Sequence, residues 1–329
     1  MAGSGKAHLR NNENVILRVE DLTMEFPAGG KNFVRAVSGI SFDIERGETL
    51  AIVGESGCGK STLGKAILQL PKPTSGSVNF QGQELTSLSK DALRDVRPAM
   101  QMIFQDPVSS LDPRLTVAKI VDEPLKIWER GDELWRSKKV DELLNAVGLD
   151  PALVRDRRSY EFSGGQCQRI SIARSLALEP LLLICDEPVS ALDVSVQAQI
   201  LNLLQDMKER YGLTLIFISH DLAVVKAVST RIMVMYLGKV CEISSPDELY
   251  SNPRHHYTHA LVSSVPVPDP TVAARGTALQ GESPSPMDPP SGCRFRTRCP
   301  AATDLCAQEE PQLREVSAGH FVACHFPRN

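Results

Sequence analysis

The sequence predicts an α/β fold with a helical subdomain and a small cysteine-rich C-terminal domain. Three observations predict it. Buried-strand patterns in two parts of the chain each lead into a helical pattern, as expected of parallel strands covered by helices. Helical periodicity without strands fills the region between these two parts. Seven prolines occur between residues 265 and 291, and four of the eight cysteines follow them.

The first part of the α/β core contains three strand patterns. Hydrophobic residues in Val15–Val19 and Ala36–Ile44 indicate two strands. Thr49–Val53 has the pattern of a buried strand and ends in a glycine-rich turn, after which a helix is expected from Ser61. A glycine-rich loop therefore joins a strand to a helix in this part of the chain.

The second part of the core repeats the order strand, helix, strand. Leu181–Cys185 and Leu213–Ile218 are apolar runs of strand length, and Val194–Arg210 between them has a helical period. This order predicts a parallel βαβ unit.

The region between these two parts is predicted to be a helical subdomain of about residues 106–178. Leu115–Trp128 and Leu134–Val147 have helical periodicity and are bounded by glycines. A further helix is expected to open at Ser163 and to run to about Glu179.

The proline-rich stretch predicts a domain boundary, because its composition resists regular structure. We therefore expect residues 1–264 to form the main domain, residues 265–291 a linker and residues 292–329 the cysteine-rich C-terminal domain.

Composition restricts the classes of function. Of the 329 residues 23% are charged, and the net charge is -4, so the chain lacks a basic field and no nucleic-acid partner is expected. Its apolar runs are far shorter than the roughly 20 residues of a membrane-spanning helix. Met1–Glu20 lacks the apolar segment of a secretory signal, so we expect a cytosolic chain with reduced thiols. If the protein acts at a membrane, other subunits must cross it.

A phosphate-binding loop is the first motif that points to chemistry. It fits the pattern G-x-x-x-x-G-K-S/T and consists of Gly54, Glu55, Ser56, Gly57, Cys58, Gly59, Lys60, Ser61 and Thr62. Backbone N–H groups of such a loop surround phosphates, and the helix N-terminus behind them adds partial positive charge. Lys60 is expected to reach the outer phosphates, and the Ser61 hydroxyl to coordinate Mg²⁺.

Two adjacent acids follow the predicted strand Leu181–Cys185. They are Asp186 and Glu187, and the C-terminal ends of such strands are where α/β sheets bind ligands. Asp186 is expected to hold Mg²⁺ through water, and Glu187 to orient and polarise the attacking water. With the phosphate loop, these acids predict hydrolysis of a nucleoside triphosphate.

A motif at the start of the helix after Phe162 restricts which nucleoside triphosphatase family the chain resembles. Its residues are Ser163, Gly164, Gly165 and Gln166. The segment resembles the L-S-G-G-Q signature of the ABC ATPase family, with Phe162 in place of the leucine. This resemblance implies an ABC-type P-loop ATPase core with an antiparallel β subdomain and a helical subdomain. It also implies ATP as the nucleotide and a signature helix that contacts the γ-phosphate of ATP bound by the opposite subunit of a dimer.

Further positions match the family in the same order along the chain. Gln105 resembles the Q-loop glutamine, which senses Mg²⁺ and water and contacts the membrane subunits. Asp193 resembles the D-loop aspartate, which couples the two sites of the dimer. His220 resembles the switch histidine, which contacts the γ-phosphate and positions the water. Phe26 is expected to stack on adenine, and Phe33 is the alternative.

Several segments resemble the dipeptide and oligopeptide importer branch of this family, and specifically its F-type ATPase. They are residues 105–114, 256–261 and 281–293. The resemblance implies a peripheral protein on the cytoplasmic face of the inner (plasma) membrane. Its implied partners are a paralogous D-type ATPase, two transmembrane permease subunits and an extracytoplasmic substrate-binding protein. The cargo stays open among dipeptides, longer peptides, nickel chelates, glutathione and haem.

The last segment contains a set of four cysteines. Cys293, Cys299, Cys306 and Cys324 are separated by five, six and seventeen residues. This spacing is too irregular for paired C-x-x-C zinc knuckles, but it is adequate for four thiolates around an iron–sulfur cube. Zinc with help from His320 or His325, and free thiols, stay open as alternatives. The importer resemblance implies a [4Fe–4S] cluster, with either a structural or a redox-sensing role.

Two other classes of function stay open. A soluble ABC ATPase acting on ribosomes or nucleic acid is disfavoured, because such proteins usually contain two ATPase cores or long coiled coils. An iron–sulfur electron-transfer ATPase is disfavoured for want of a second redox centre. Copurification with two membrane proteins would separate transport from both.

Overall fold

The structure divides into two compact units. It is a computed structural model that describes residues 5–30, 32–265 and 281–329. The first unit comprises Met1–Leu88 and Phe217–Asn329, and the second comprises Ser89–Ile216.

The helices and strands follow one another in an α/β order. The first unit opens with β1 (Val15–Pro27), β2 (Phe33–Glu45), β3 (Thr49–Val53), α1 (Lys60–Ile67), β4 (Ser75–Phe80) and β5 (Gln83–Glu84). The second unit contains α2 (Lys90–Val96), β6 (Met100–Ile103), α3 (Val117–Ile127), α4 (Glu133–Ala146), α5 (Pro151–Val154), α6 (Gly164–Leu176), β7 (Leu182–Asp186) and α7 (Val194–Tyr211). The chain leaves it within β8 (Thr214–Ser219) and continues with α8 (Leu222–Val228), β9 (Arg231–Tyr236), β10 (Lys239–Ser244), α9 (Pro246–Ser251), α10 (His256–Ser263), α11 (Asp304–Gln308), β11 (Arg314–Ser317) and β12 (His320–Val322).

The first unit contains the expected antiparallel sheet, with the strand order β2, β1, β4, β5. Leu17 lies opposite Phe80, and Val19 lies opposite Phe42, so buried apolar pairs hold the three long strands together. The strands predicted at Val15–Val19 and Ala36–Ile44 are present as β1 and β2, and both are longer than expected. In β1 the register shifts after Val19, and Asp21 has a φ of 50°, so the hydrophobic alternation changes phase there.

The remaining strands of the first unit follow one another from β3 in the order β9, β10, β12, β11. β3 is buried along its whole length and pairs in parallel with β9, with Ile52 opposite Met233. β10 is antiparallel to β9, β12 to β10 and β11 to β12. A strand with no exposed residue must contact other elements on both faces, so the apolar run at Thr49–Val53 specified its central position.

The second unit contains a parallel strand pair and most of the long helices. β6 and β7 pair in parallel, with Met102 opposite Ile184. The helices predicted at Leu115–Trp128 and Leu134–Val147 correspond to α3 and α4 within two residues at each end. The Asp132 carboxylate accepts a hydrogen bond from the backbone of Trp135 and so caps α4. The helical parts of the fold are thereby confirmed.

The cysteine-rich segment is part of the first unit. β12 pairs with β10 through Glu242 and Val322, and the buried His320 ring lies with its Nε2 2.6 Å from the Glu242 carboxylate. Glu242 also accepts hydrogen bonds from the backbone of Arg254 and His255, so its carboxylate is fully satisfied although it has no solvent exposure. The segment therefore packs on β10 through both its backbone and its side chains.

Two features of the organisation are described only in part. The predicted domain boundaries stay predictions, because residues 266–280, with Pro266, Pro268 and Pro270, lie outside the described residues. The four later prolines, Pro284, Pro286, Pro289 and Pro290, have neither helical nor strand structure.

Across the described ranges, no helix combines the length and apolar character that crossing a membrane requires.

Candidate functional site

The phosphate loop lies between β3 and α1, as its motif requires. Gly54 and Gly59 have φ values of 151° and 103°, which side-chain-bearing residues rarely adopt. A Cβ atom at Gly54 would lie 2.1 Å from the carbonyl oxygen of Met235, and one at Gly59 would lie 2.0 Å from that of Ala36. Neighbouring backbone therefore fixes both ends of the loop, and only glycine fits at either end.

Replacing Gly59 by alanine is expected to lower the free energy of unfolding by at least about 3 kcal/mol, because the new methyl group meets backbone and the φ is strained. Gly57 is the matched control: its φ is also positive, at 77°, but a Cβ atom there has nothing within 4 Å. Gly57→Ala should cost only about 1–2 kcal/mol. Urea unfolding of both variants measures the difference, and equal costs would contradict the close approach.

Lys60 is buried at the start of α1. Its ammonium donates hydrogen bonds to the carbonyl oxygens of Gly54, at 2.7 Å, and Glu55, at 3.0 Å, and it lies 3.9 Å from the Cys58 sulfur. These contacts hold the cation inside the curve of the loop. Among the described residues this buried ammonium contacts carbonyl oxygens and a thiol, so it keeps its positive charge available to attract an anion.

The other predicted loop residues differ in exposure. Ser56 and Gly57 are exposed, and Ser61 and Thr62 are half-buried in the first turn of α1. Cys58 is buried, and burial raises the pKa of its thiol, so it is uncharged at neutral pH. The loop thus exposes Ser56 and Gly57 to solvent and turns its cysteine into the core.

Phe26 and Phe33 both lie at the connected ends of β1 and β2. Phe26 is 36% exposed and Phe33 is 46% exposed. Both rings are therefore accessible for stacking on a base.

The two predicted acids lie at the end of β7. Asp186 is its last residue and is buried, whereas Glu187 is half-buried and has a φ of 46°. A positive φ in a residue with a long side chain costs about 1–3 kcal/mol and is characteristic of functional positions. The Gln105 side-chain amide donates a hydrogen bond of 3.0 Å to the Glu187 carboxylate. Two of the predicted catalytic residues, distant in sequence, are therefore in direct contact.

The signature residues form a capped helix start. The Ser163 hydroxyl accepts a hydrogen bond from the backbone of Gln166, and the Gln166 side chain accepts one from the backbone of Ser163. A Cβ atom at Gly165 would lie 2.6 Å from Val196, and one at Gly164 would lie 3.5 Å from Leu192. The glycines let the start of α6 pack closely on the start of α7.

Asp193 lies directly before α7. It is exposed, and its side chain makes no capping bond to the helix. The Gln197 side chain donates hydrogen bonds to the backbone of Val189 and Leu192, which fixes the turn that carries Asp193. Because this turn contacts the signature helix, the two predicted dimer motifs form one surface of the second unit.

His220 follows β8 directly and is exposed in the first unit. The next residue, Asp221, caps α8 through hydrogen bonds to the backbone of Ala223 and Val224. The histidine therefore lies at the junction between a strand end and a helix start.

The four cysteines of the C-terminal segment line one cavity. Its other lining residues include His255, His256, His325 and Phe326. Burial raises the pKa of the Cys293, Cys299 and Cys324 thiols, that of Cys324 to about 11. As placed, no three His, Cys, Asp or Glu side chains of the described residues form a group that could hold a metal ion. The cavity therefore gathers sulfur donors but is not a preformed metal site.

His320 does not line this cavity. Its ring faces the Glu242 carboxylate. The zinc alternative stays a prediction, and of its two histidines His320 is the one whose Nε2 contacts Glu242, 2.6 Å away, rather than the cavity. His325 does line the cavity, and its Nε2 lies 3.0 Å from the Glu309 carbonyl oxygen.

Sequence reasoning missed a second set of contacts to the phosphate loop. The Glu55 backbone N–H donates to the hydroxyl of Tyr257, and the Glu55 carboxylate forms an ion pair of 2.7 Å with Arg298. No local pattern marks either contact, because the partners are 202 and 243 residues away from Glu55 in the chain.

Comparisons with known proteins agree with this arrangement. Residues 37–190 match the family described as ABC transporter, and residues 241–306 match the oligopeptide/dipeptide transporter C-terminal region. A putative oligopeptide transport ATP-binding protein of Bacillus subtilis, YkfD, is 51% identical over 95% of this chain and 96% of its own. The chain belongs to the ABC transporter family of oligopeptide-type ATP-binding proteins.

Further relatives support the family assignment. The oligopeptide transport ATP-binding protein AppF of Bacillus subtilis is 50% identical over 96% of this chain and 98% of its own. A putative peptide import ATP-binding protein of Brucella ovis is 49% identical over 95% of this chain and 98% of its own. The resemblance to ATP-binding subunits of the oligopeptide and dipeptide importer branch is confirmed.

Solved structures of ABC proteins have the same fold. A dimeric, post-hydrolysis structure of the ATP-binding cassette MJ0796 bound to ADP and Pi has a TM-score of 0.64 and 30% identity, covering 70% of this chain and 98% of that one. A cbiO1 structure from Clostridium perfringens also has a TM-score of 0.64, with 31% identity over 73% of this chain and 92% of that one. As an ABC cassette, the protein binds ATP and couples its hydrolysis to transport.

Proposed function

We propose that this ABC subunit powers the uptake of dipeptides and oligopeptides from the cytoplasmic face of the inner (plasma) membrane. The observation that carries the proposal is the near-complete match, at about half identity, to proteins described as oligopeptide transport and peptide import ATP-binding proteins. The match of residues 241–306 to the oligopeptide/dipeptide C-terminal region extends it beyond the ATPase core.

The proposed chemistry begins with ATP in the phosphate loop. Lys60 binds the outer phosphates, and the backbone N–H groups from Gly54 to Thr62 surround them. Ser61, Gln105 and Asp186 would hold Mg²⁺, and the ion would offset the phosphate charge. Phe26 or Phe33 stacks on the adenine ring.

The proposed general base is Glu187, which polarises the attacking water. The hydrogen bond from Gln105 orients the Glu187 carboxylate. Because Gln105 opens the loop that is expected to contact the membrane subunits, this bond would connect hydrolysis to transport. His220 contacts the γ-phosphate and keeps the water in line.

The proposed working unit is a dimer of ATPase subunits. Ser163, Gly164, Gly165 and Gln166 contact the nucleotide held by the partner, and Asp193 couples the two sites. The shared surface of α6 and the turn before α7 supports this, because the two motifs would move together. Closing around ATP would pull on the permeases, and hydrolysis would release the closed state.

The proposed partners are a paralogous D-type ATPase, two transmembrane permease subunits and an extracytoplasmic substrate-binding protein.

The partners and the peptide cargo are tested by affinity purification of the chain from membranes in mild detergent, followed by uptake of labelled dipeptides and oligopeptides. We expect two membrane proteins and a second ATPase to copurify, and peptide uptake to require this chain. Copurification with ribosomes or nucleic acid would support the soluble alternative instead. Uptake of only a nickel chelate, glutathione or haem would overturn the peptide assignment.

We propose further that Cys293, Cys299, Cys306 and Cys324 hold a [4Fe–4S] cluster. What supports this is that all four line one cavity, because thiolates are the ligands that such clusters require. Bound there, the cluster would link α11 to the chain on either side of it and so stabilise a segment too small to have a core of its own.

Anaerobic purification, visible absorption and metal analysis test this cluster. We expect a brown protein with about four iron atoms per chain. The variant Cys306→Ser should lose the colour, whereas Cys185→Ala, which removes a buried cysteine of β7 outside the cavity, should keep it. Zinc without iron would favour the zinc alternative, and colourless, metal-free protein would reject both metals.

A further inference from the structure

The C-terminal segment contacts the phosphate loop through one side chain. The Arg298 guanidinium donates two hydrogen bonds to the Glu55 carboxylate, from Nη1 to Oε2 at 2.7 Å and from Nη2 to Oε1 at 3.0 Å. The Arg298 side chain is 6% exposed and that of Glu55 is 27% exposed. A two-bond arginine–carboxylate pair fixes orientation as well as distance, and removal from water strengthens it.

Glu55 is a member of the phosphate loop and is held at all three of its polar groups. Its backbone N–H donates to the Tyr257 hydroxyl at 2.8 Å, and its carbonyl oxygen accepts from Lys60 at 3.0 Å. The carboxylate, held by Arg298, is the third group. The contact to Lys60 connects Arg298 through Glu55 to the lysine expected to bind phosphate.

An aromatic cluster fixes the position of Arg298. Phe295, three residues before it, is buried against Tyr236 and Tyr257, with ring centroids 5.3 Å from each. Nη1 of Arg298 also lies 3.3 Å from the Tyr236 hydroxyl. Tyr236 belongs to β9 and Tyr257 to α10. Because these two rings are fixed in regular elements, they hold Phe295 and the guanidinium next to it in a defined position.

The charge of Glu55 makes this contact matter for nucleotide binding. A carboxylate inside a phosphate loop repels the phosphates that the loop must surround, unless a cation balances it. Arg298 supplies that cation, and the neighbouring Glu55 carboxylate in turn raises the pKa of the guanidinium above its ordinary value, so it stays charged.

We propose that Arg298 is a positioning residue for ATP: it balances the Glu55 carboxylate and fixes the phosphate loop in the shape that binds phosphate. The C-terminal segment is then a structural part of the nucleotide site. The inference rests on the phosphate loop being the site of ATP.

The test measures KM for Mg·ATP, kcat and the affinity for a fluorescent ATP analogue in the full chain with its partner subunits. Arg298→Gln is expected to raise KM and the dissociation constant about 10-fold and to change kcat less than about 2-fold, because the lost interaction acts on binding. Arg298→Lys, which keeps the charge but loses the two-bond geometry, should restore part of the affinity. In a Glu55→Gln background, Arg298→Gln should have no further effect on KM, since the pair acts as a unit.

Glu310→Gln is the matched control. It removes another ion pair between the C-terminal segment and the rest of the first unit, Lys239 to Glu310 at 2.6 Å, which involves no residue of the phosphate loop. We expect its KM to equal that of the wild type. Any of three results would overturn the inference. They are an unchanged KM in Arg298→Gln, an equal rise in KM in Glu310→Gln, and additive effects of the Glu55 and Arg298 changes on KM. If Arg298→Gln does not fold, an unaltered KM in Arg298→Lys would overturn it equally. Wild-type protein that does not bind ATP would instead contradict the proposed function.

Discussion

Replacing Glu187 by glutamine is expected to lower ATP turnover by at least about 100-fold while leaving ATP bound. The glutamine keeps the size of the side chain but cannot accept a proton from water. The amide of Gln105, which now donates to the carboxylate at 3.0 Å, would still find an oxygen to bond. Turnover should therefore fall without loss of local structure, and the protein should accumulate in the ATP-bound, closed dimer.

The control for this variant is Glu209→Gln. Glu209 lies on the exposed side of α7, where it accepts a hydrogen bond of 2.9 Å from Gln205, so the chemical change is the same but the site is remote from the two acids. Phosphate release and retention of labelled ATP on gel filtration measure both variants. Undiminished turnover in Glu187→Gln would show that another group activates the water.

Replacing Lys60 by alanine is expected to raise the dissociation constant for ATP by about 10- to 100-fold, because a charge-assisted hydrogen bond to phosphate is lost. The ammonium is buried and is held by the carbonyl oxygens of Gly54 and Glu55. Its removal leaves those oxygens without their cationic donor, so the shape of the loop changes as well as its charge.

Lys65→Ala is the control for Lys60→Ala. Lys65 lies in the last turn of the same helix, α1, and is half-buried, so helix propensity and net charge change equally in the two variants. Titration with a fluorescent ATP analogue measures both affinities. Equal ATP affinities for the Lys60 and Lys65 variants would show that Lys60 does not bind the phosphates.

The parts of the site that could be predicted from the sequence are local. The phosphate loop, the acids after β7 and the signature are each a short run of neighbouring residues, and each run lies at the end of a strand or the start of a helix. Periodicity placed α3, α4 and α7 within two residues, because their buried faces repeat at the helical period. The same logic found β3, a short and wholly buried strand.

The parts that could not be predicted depend on contacts between residues far apart in the chain. The Arg298–Glu55 pair joins residues 243 positions apart, and His320 reaches Glu242 from 78 positions away. Neither contact leaves a local pattern, because a paired charge in a sequence looks like any solvated charge. The short strands β11 and β12 were missed for a related reason: their pairing with β10, rather than their own propensity, makes them strands.

We propose that the hydrogen bond from the Gln105 amide to the Glu187 carboxylate connects the proposed Q-loop to ATP hydrolysis. In the second unit Gln105 contacts Glu187, and the signature helix contacts the turn before α7. Motion at the proposed Q-loop would therefore reach Glu187, the proposed general base, through one hydrogen bond. This arrangement is what a motor subunit needs, since hydrolysis should proceed only when partners are engaged.

The most direct test concerns the proposed site that two chains share. ATP turnover per subunit is measured against subunit concentration, and light scattering on the same samples gives the molecular mass. We expect turnover per subunit to rise steeply as the fraction of dimers rises, or as the second ATPase is added, because each ATP needs the Ser163 helix of another chain. Full turnover by a chain whose mass stays that of one subunit would contradict the shared site.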